Sequence, residues 1–248
     1  MRDPVTRMHS DWESRAESDP LYHIASARRK WELADFYLQG DEIVEQVVDP
    51  VLKILDIDST KKVVLEIGCG VGRLFRGLSN RFETVYGIDI SETMIIKGKK
   101  QCPVSAHWVI GDGKTLSGID DKTINHVLSF EVFQHISDMK IIESYFKDIF
   151  RVLHSGGTFQ VQLRSGSDSF RQSVVRSMPR FLRVFTGRFL RAIRVLPVLG
   201  DIDSWLGVIA SPDDMTAYSH KLGLTDLKIL PDDRHPPGMG YWLIGRRP

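Results

Sequence analysis

The run Val64-Leu-Glu66-Ile-Gly68-Cys-Gly70-Val-Gly72-Arg73 closes a short apolar segment with three alternating glycines. Glycines after a buried strand let the backbone turn sharply and approach a ligand with no Cβ in the way. A helix expected over Gly72 to Ser79 would then present free N–H groups to an anionic group. Asp89 lies 21 residues beyond Gly68, at the end of the next apolar run. A carboxylate there can accept hydrogen bonds from both hydroxyls of a ribose, so the pattern points to a ligand that contains a nucleoside.

Three details choose among nucleosides. The glycines follow G-x-G-x-G, and position 73, where a dinucleotide-binding helix prefers a small residue for close packing, is arginine. Glu66 sits inside the first strand, two residues before Gly68, where a carboxylate suits an ammonium and disfavours a pyrophosphate. Gly111-Asp112-Gly113 follows a third apolar run, and Asp112 can accept from an adenine amino group. Glu66 and Arg73 therefore weigh against a nicotinamide-dependent oxidoreductase, the competing enzyme class.

Chemistry is expected at the carboxyl edge of the fourth strand, where the chain reads Phe130-Glu131-Val-Phe-Gln134-His135. His135 is the candidate base, because an imidazole titrates near neutrality. Glu131 precedes it by four residues, so on a helical turn the two share a face and Glu131 can orient the ring. The alternative role for His135 is a wall of the pocket. His107 and His220 read as packing or surface groups, and Cys69 as a small packing residue. No Cys/His cluster has metal-ligand spacing, so no metal is expected.

The segments LEIGCGVGR, YGIDIS, the GDG turn, LSFEVFQHI and RVLHSGGTF together resemble the class I S-adenosylmethionine-dependent methyltransferases, over roughly residues 60–165. The resemblance implies S-adenosyl-L-methionine as cofactor. It implies that Gly68, Gly70 and Gly72 pack against the methionine moiety and that Glu66 holds its amino group. Asp89 would bind the ribose, and Ile90 would pack on the adenine. Asp112, with the backbone at Gly113, would face the adenine edge, and Phe130 is counted with the cofactor contacts. It further implies a seven-stranded, mostly parallel sheet whose last strand is antiparallel. Many members carry Glu-His after the fourth strand; here the pair is Gln134-His135. The acceptor is expected to be a small molecule methylated at oxygen, with nitrogen and carbon open. A non-catalytic, cofactor-binding partner subunit is the alternative outside catalysis.

These residues need elements to position them. Residues 62–67, 84–88, 106–110, 124–130 and 157–163 read as strands, alternating with helices. That alternation predicts an α/β fold with a doubly wound, Rossmann-like sheet. Leu224 to Leu230 and Gly240 to Arg246 read as a final antiparallel pair joined by a turn-rich stretch. Ser211-Pro212-Asp213-Asp214 is a strong helix start. The expected organisation is a helical N-terminal cap over 1–60, a cofactor-binding core over 61–164, an inserted helical lid over 165–210, and a helix with two strands over 211–248 that completes the core.

Of the 248 residues, 42% are hydrophobic and 26% charged, which excludes disorder as a whole-chain description. No apolar run is long enough for a membrane span, and two cysteines make no disulfide framework, so the cytoplasm is the expected location. The net charge of +1 argues against nucleic acid as a partner. Residues 164–194 nonetheless hold eight arginines and one acid. Over 178–196, Leu182, Phe185, Phe189, Ile193 and Leu196 form one helical face, and Arg180, Arg183, Arg191 and Arg194 the opposite one. Such a helix is a lid with solvated arginines, a site for an anionic acceptor, or a contact with an anionic membrane surface.

Overall fold

The computed structural model describes residues 3–60, 62–165, 207–235 and 239–248. The expected arginine helix over 178–196, and with it most of the expected lid, lies outside them.

Four helices open the chain: α1 (Pro4–Ser18), α2 (Pro20–Ile24), α3 (Leu33–Val47) and α4 (Asp49–Ile54). The apolar run from Ile43 to Leu55 is helical but breaks at Val48, and Pro50 falls in the first turn of α4, where its missing N–H costs nothing. Then come β1 (Val63–Ile67), α5 (Phe75–Ser79), β2 (Thr84–Asp89), α6 (Glu92–Gln101), β3 (His107–Ile110), β4 (Ile124–Ser129), a 3-10 turn (Phe133–His135), α7 (Met139–Val152) and β5 (Leu153–Arg164). The chain closes with α8 (Pro212–Lys221), β6 (Thr225–Pro231) and β7 (Gly240–Arg246).

The seven strands form one sheet in the order β3-β2-β1-β4-β5-β7-β6. Six run parallel, and β7 runs antiparallel between β5 and β6. The sheet is the expected Rossmann-like one, with the antiparallel strand last in sequence. Its register aligns Ile67 with Ile88 and Ser129, so β1, β2 and β4 end together at one edge.

Alternation along the strands feeds two cores. Leu65, Ile67, Val127, Phe159 and Leu243 pack with Ile142, Phe146 and Ile149 of α7. Val64, Leu128, Trp242 and Ile244 pack on the other face with Val44, Val47, Phe75 and Leu78. Glu66 follows Val64 in the alternation, so its side chain leaves the sheet on the α3–α5 side.

One helix begins later than expected. Gly72 has φ +77°, a left-handed conformation that no helix continues, so α5 starts only at Phe75. The glycine loop is therefore a turn followed by a short helix, and its N–H groups are spent within the fold: those of Gly68 and Cys69 donate to the Ile88 carbonyl at 2.7 and 3.2 Å.

Candidate active site

The strand ends enclose a cavity of about 180 Å³. Its wall includes Glu66, Gly68, Gly70, Asp89, Ile90, Phe130, Glu131 and His135, eight of the eleven residues expected from the sequence. Gly72, Asp112 and Gly113 stand outside it. A Cβ on Gly72 would lie 2.6 Å from the Trp108 ring, so this glycine serves packing beneath the loop. A Cβ on Gly113 would lie 2.4 Å from Ile90 Cδ1, so Gly113 makes room for Ile90, which reaches the wall in its place.

The two acids of the glycine turn differ in how they are satisfied. Asp89 accepts from the N–H of Gly70 at 2.8 Å through Oδ2 and from that of Ser91 at 2.9 Å through Oδ1. Burial raises its pKa, and those backbone hydrogen bonds work against the rise. Each oxygen keeps a further lone pair. Glu66 is buried, and its Oε2 has no hydrogen-bond partner among the described residues. Burial pushes its pKa up to about 8, with Arg73 opposing and Asp89 reinforcing the rise. Burial thus biases the carboxyl towards its neutral form, and a further cation would oppose that bias.

Asp112 is exposed and committed to its own loop. It accepts from the N–H groups of Lys114 and Thr115 at 2.8 and 2.7 Å and from the Thr115 hydroxyl at 2.7 Å. Burial opposes these bonds, but they hold its pKa below the usual carboxylate value.

Glu131 and His135 do not share a helical face. Glu131 has φ +58°, the helical turn after it covers only Phe133–His135, and its carboxylate pairs with Arg73 at 3.3 Å. His135 stands edge-on to Trp12, with ring centroids 5.3 Å apart. Cys69 is buried and its thiol pKa is raised, first by burial and then by Asp89 and Glu66, so it is no ready thiolate. Among the described residues, no group of three or more His, Cys, Asp or Glu side chains is placed to hold a metal.

Sequence reasoning missed the other side of the cavity. Met8 and Trp12 of α1, and Ile24 of α2, complete the wall. Glu13 docks α1 on α6, accepting from the N–H of Thr93 at 3.3 Å. Lys97 donates to the Ala16 carbonyl at 2.5 Å. A Cβ on Gly70 would lie 2.6 Å from Ile24 Cδ1, so the bare glycine lets α2 close on the loop. The signal that could have found Met8 and Trp12 is the stripe Val5, Met8, Trp12 and Ala16, spaced 3, 4 and 4 along an otherwise polar α1.

Residues 65–161 match the family described as a methyltransferase domain. Over that stretch the chain is similar to the S-adenosylmethionine-dependent methyltransferases, in agreement with the motifs of its glycine turn. An uncharacterized methyltransferase of Geobacillus thermodenitrificans is 34% identical over 126 residues, 50% of this chain and 57% of that protein. The chain thus spans just over half the length of that relative. Magnesium protoporphyrin IX methyltransferase from Synechocystis PCC 6803, solved with S-adenosylhomocysteine bound, is 14% identical with a TM-score of 0.66, covering 99% of this chain and 100% of that one. Haemonchus contortus phosphoethanolamine N-methyltransferase 2, in complex with phosphomonomethylethanolamine and S-adenosylhomocysteine, is 14% identical with a TM-score of 0.54, covering 80% of this chain and 52% of that one. At that identity the two structures establish the fold of the methyltransferase domain. The cavity lies at the carboxyl edge of its sheet, and the residues there suit the methyl donor. Glu66 keeps one oxygen without a hydrogen-bond partner among the described residues, and Asp89 is already oriented by two N–H groups.

Proposed function

We propose that the protein transfers a methyl group from S-adenosylmethionine to a small-molecule acceptor, at oxygen. The observation that carries this reading is the pairing of Glu66 and Asp89 around one glycine turn and one cavity. The donor supplies an electrophilic methyl on a sulfonium; the chain has to align an acceptor with it and exclude water.

Each residue has a part. A ligand ammonium would meet Glu66 Oε2, which has no partner among the described residues, and with Arg73 return the carboxyl to its ionised form. A dinucleotide would instead bring pyrophosphate charge against Glu66 and Asp89, which disfavours a nicotinamide cofactor. Asp89, fixed by the N–H groups of Gly70 and Ser91, would accept from the ribose hydroxyls through its remaining lone pairs. Ile90, backed by Gly113, offers an apolar face to the adenine. Asp112 shapes the loop that follows β3, and the Gly111 backbone stands nearer the ligand. Of the two roles open to His135, base or wall, its contact with Trp12 favours the wall. The enclosure by Met8, Trp12 and Ile24 supports a small acceptor, and two similar structures are of enzymes named for small molecules, phosphoethanolamine and magnesium protoporphyrin IX.

Calorimetry tests the reading. S-adenosylhomocysteine should bind and NAD should not. Binding of NAD alone would overturn it, whereas donor binding with no turnover on any acceptor would favour a non-catalytic partner subunit.

A further inference from the structure

The wall of the cavity carries three carboxylates, Glu66, Asp89 and Glu131, and, among the described residues, one side chain that is lysine or arginine, Arg73. Arg73 follows the last glycine of the turn and is 7% exposed. Its Nη2 donates to Glu131 at 3.3 Å, a long contact for a charge-assisted bond. Its buried Nε has no hydrogen-bond partner among the described residues. The charge of Arg73 reaches Glu66 and opposes the rise of that carboxyl's pKa. The fold thus places a guanidinium with a donor to spare beside the acid of the glycine turn.

The residue is held in position from two sides. A Cβ on Gly40 would lie 1.9 Å from the Arg73 carbonyl oxygen and 3.3 Å from its Cγ, so α3 presses on its backbone and stem. The guanidinium carbon lies 5.5 Å from the centre of the Phe130 ring, which stacks on Trp242 with centroids 5.9 Å apart. Arg234 lies 5.4 Å from the same ring centre but stands outside the cavity wall. Its loop, between β6 and β7, is tied down by Asp232, which is buried and accepts from His235 Nδ1 at 2.6 Å and from Gln162 Nε2 at 2.7 Å. Gln162 accepts in turn from the Glu131 N–H at 2.7 Å, which fixes the backbone of the residue that faces Arg73.

The amino-acid end of the methyl donor carries an ammonium and a carboxylate on one carbon. Backbone N–H groups of a glycine turn are one source of donors for such an anion. Here four of them are committed within the fold. Those of Gly68 and Cys69 donate to the Ile88 carbonyl, that of Gly70 to Asp89, and that of Gly72 to the Cys69 carbonyl at 2.8 Å.

We infer that Arg73 binds the carboxylate of the methyl donor's amino-acid end, in competition with Glu131. The inference rests on the methyltransferase reading and completes the donor side of that site. Glu66 and Arg73 become a matched pair, an acid for the ammonium and a guanidinium for the carboxylate of one zwitterion. Glu131 is the guanidinium's partner while the donor is absent. Its side chain is 29% exposed against 9% for Arg73, so it can turn to water when the ligand's carboxylate arrives.

Calorimetry on the full chain with two ligands tests the assignment. One is S-adenosylhomocysteine; the other is S-adenosyl-3-thiopropylamine, the same molecule without its carboxylate. Wild type should prefer the first by about tenfold or more, as expected for a hydrogen bond between charged groups. Arg73→Met should abolish that preference. Glu131→Gln removes the competing charge and keeps the guanidinium, so it should widen the preference. Both affinities are measured on the same protein, so a general weakening of the site cancels from their ratio. Were Arg73→Met not to fold, wild type and Glu131→Gln would still decide the matter. Three results would overturn the inference: a wild type that binds both ligands equally, an Arg73→Met variant that keeps the wild-type preference, or a Glu131→Gln variant in which it narrows. A wild type that binds neither ligand would instead fail the methyltransferase reading, and the assignment with it.

Discussion

The turn after β1 and the turn after β4 stand side by side at the same edge, and both use left-handed backbone. The first places it on glycine: Gly68 has φ +74°. The second places it on Glu131, at φ +58°. They touch, because the space a Cβ would need at Gly68 is filled by Val132, whose Cγ2 would lie 2.3 Å away. In the first turn the backbone conformation is itself the purpose, since the chain must pass close to a ligand, and glycine adopts it without strain. In the second the conformation is held by side chains: the Glu131 carboxylate by Arg73 and its N–H by Gln162. A turn shaped for its backbone advertises itself in sequence. A turn shaped by distant partners does not.

Substitutions at three positions probe that contrast. The largest effect is expected from Gly68→Ala, which combines left-handed strain with overpacking against Val132. It should cost about 3 kcal/mol or more in chemical denaturation. A loss under about 1 kcal/mol would mean that Val132 moves aside freely and the turns are independent.

Glu66→Gln should come next, and with opposite signs for stability and binding. The folded pKa of Glu66, about 8, lies above the model-peptide value of 4.5. Its neutral form therefore favours the fold below pH 4.5, and that contribution is lost as pH rises through 8. Without ligand at pH 8.5 the variant should melt higher than wild type, by about 2–4 °C for each kcal/mol regained. Donor binding should collapse in the variant. In wild type the affinity for S-adenosylhomocysteine should climb as pH rises towards 8, by at most about tenfold per pH unit. A flat profile would show that Glu66 does not meet the ammonium.

The smallest effect separates strain from charge at the second turn. Glu131→Gly and Glu131→Ala both remove the pair with Arg73, but only glycine relaxes at φ +58°. Glycine should be the more stable of the two by about 1 kcal/mol. Equal stabilities would mean that the turn is not strained.

The legible parts of the molecule are those in which local pattern and position agree. Apolar runs gave β1 to β4 within a residue or so, and the acids at their ends, Glu66 and Asp89, fell at the cavity because parallel strands align those ends. β5 begins at Leu153, four residues before the apolar run at Gly157, because His154 to Gly156 extend without needing an apolar face. The expected Glu131–His135 face failed because helical spacing carries no information once a residue turns left-handed. Asp232 and His235 fall in a stretch that reads only as turn-rich, since Pro, Asp and Gly around them are what loops use. One signal pointed to them. β5 alternates Phe159, Val161 and Leu163 with Gln160 and Gln162, and both glutamines are buried. Buried amides need partners, and Gln162 finds Asp232 and Glu131 while Gln160 donates to the Val47 carbonyl at 2.8 Å.

The place of β7 bears on how the chain acquires this architecture. It follows every other strand in sequence yet is hydrogen-bonded on both sides, to β5 and to β6. Arg247 adds a clasp just beyond it, donating from its N–H to the Gly157 carbonyl at 2.8 Å and accepting from Gly156 at 2.8 Å. β6 cannot be secured before β7 arrives, so on the ribosome two of the seven strands must wait, with the β5 edge bare, until residues 240–247 emerge. Contacts that bridge so much chain slow folding, and a waiting edge is a template for mispairing. Loss of a few residues from this segment would therefore act on yield and aggregation before it acted on the chemistry at the far ends of the strands.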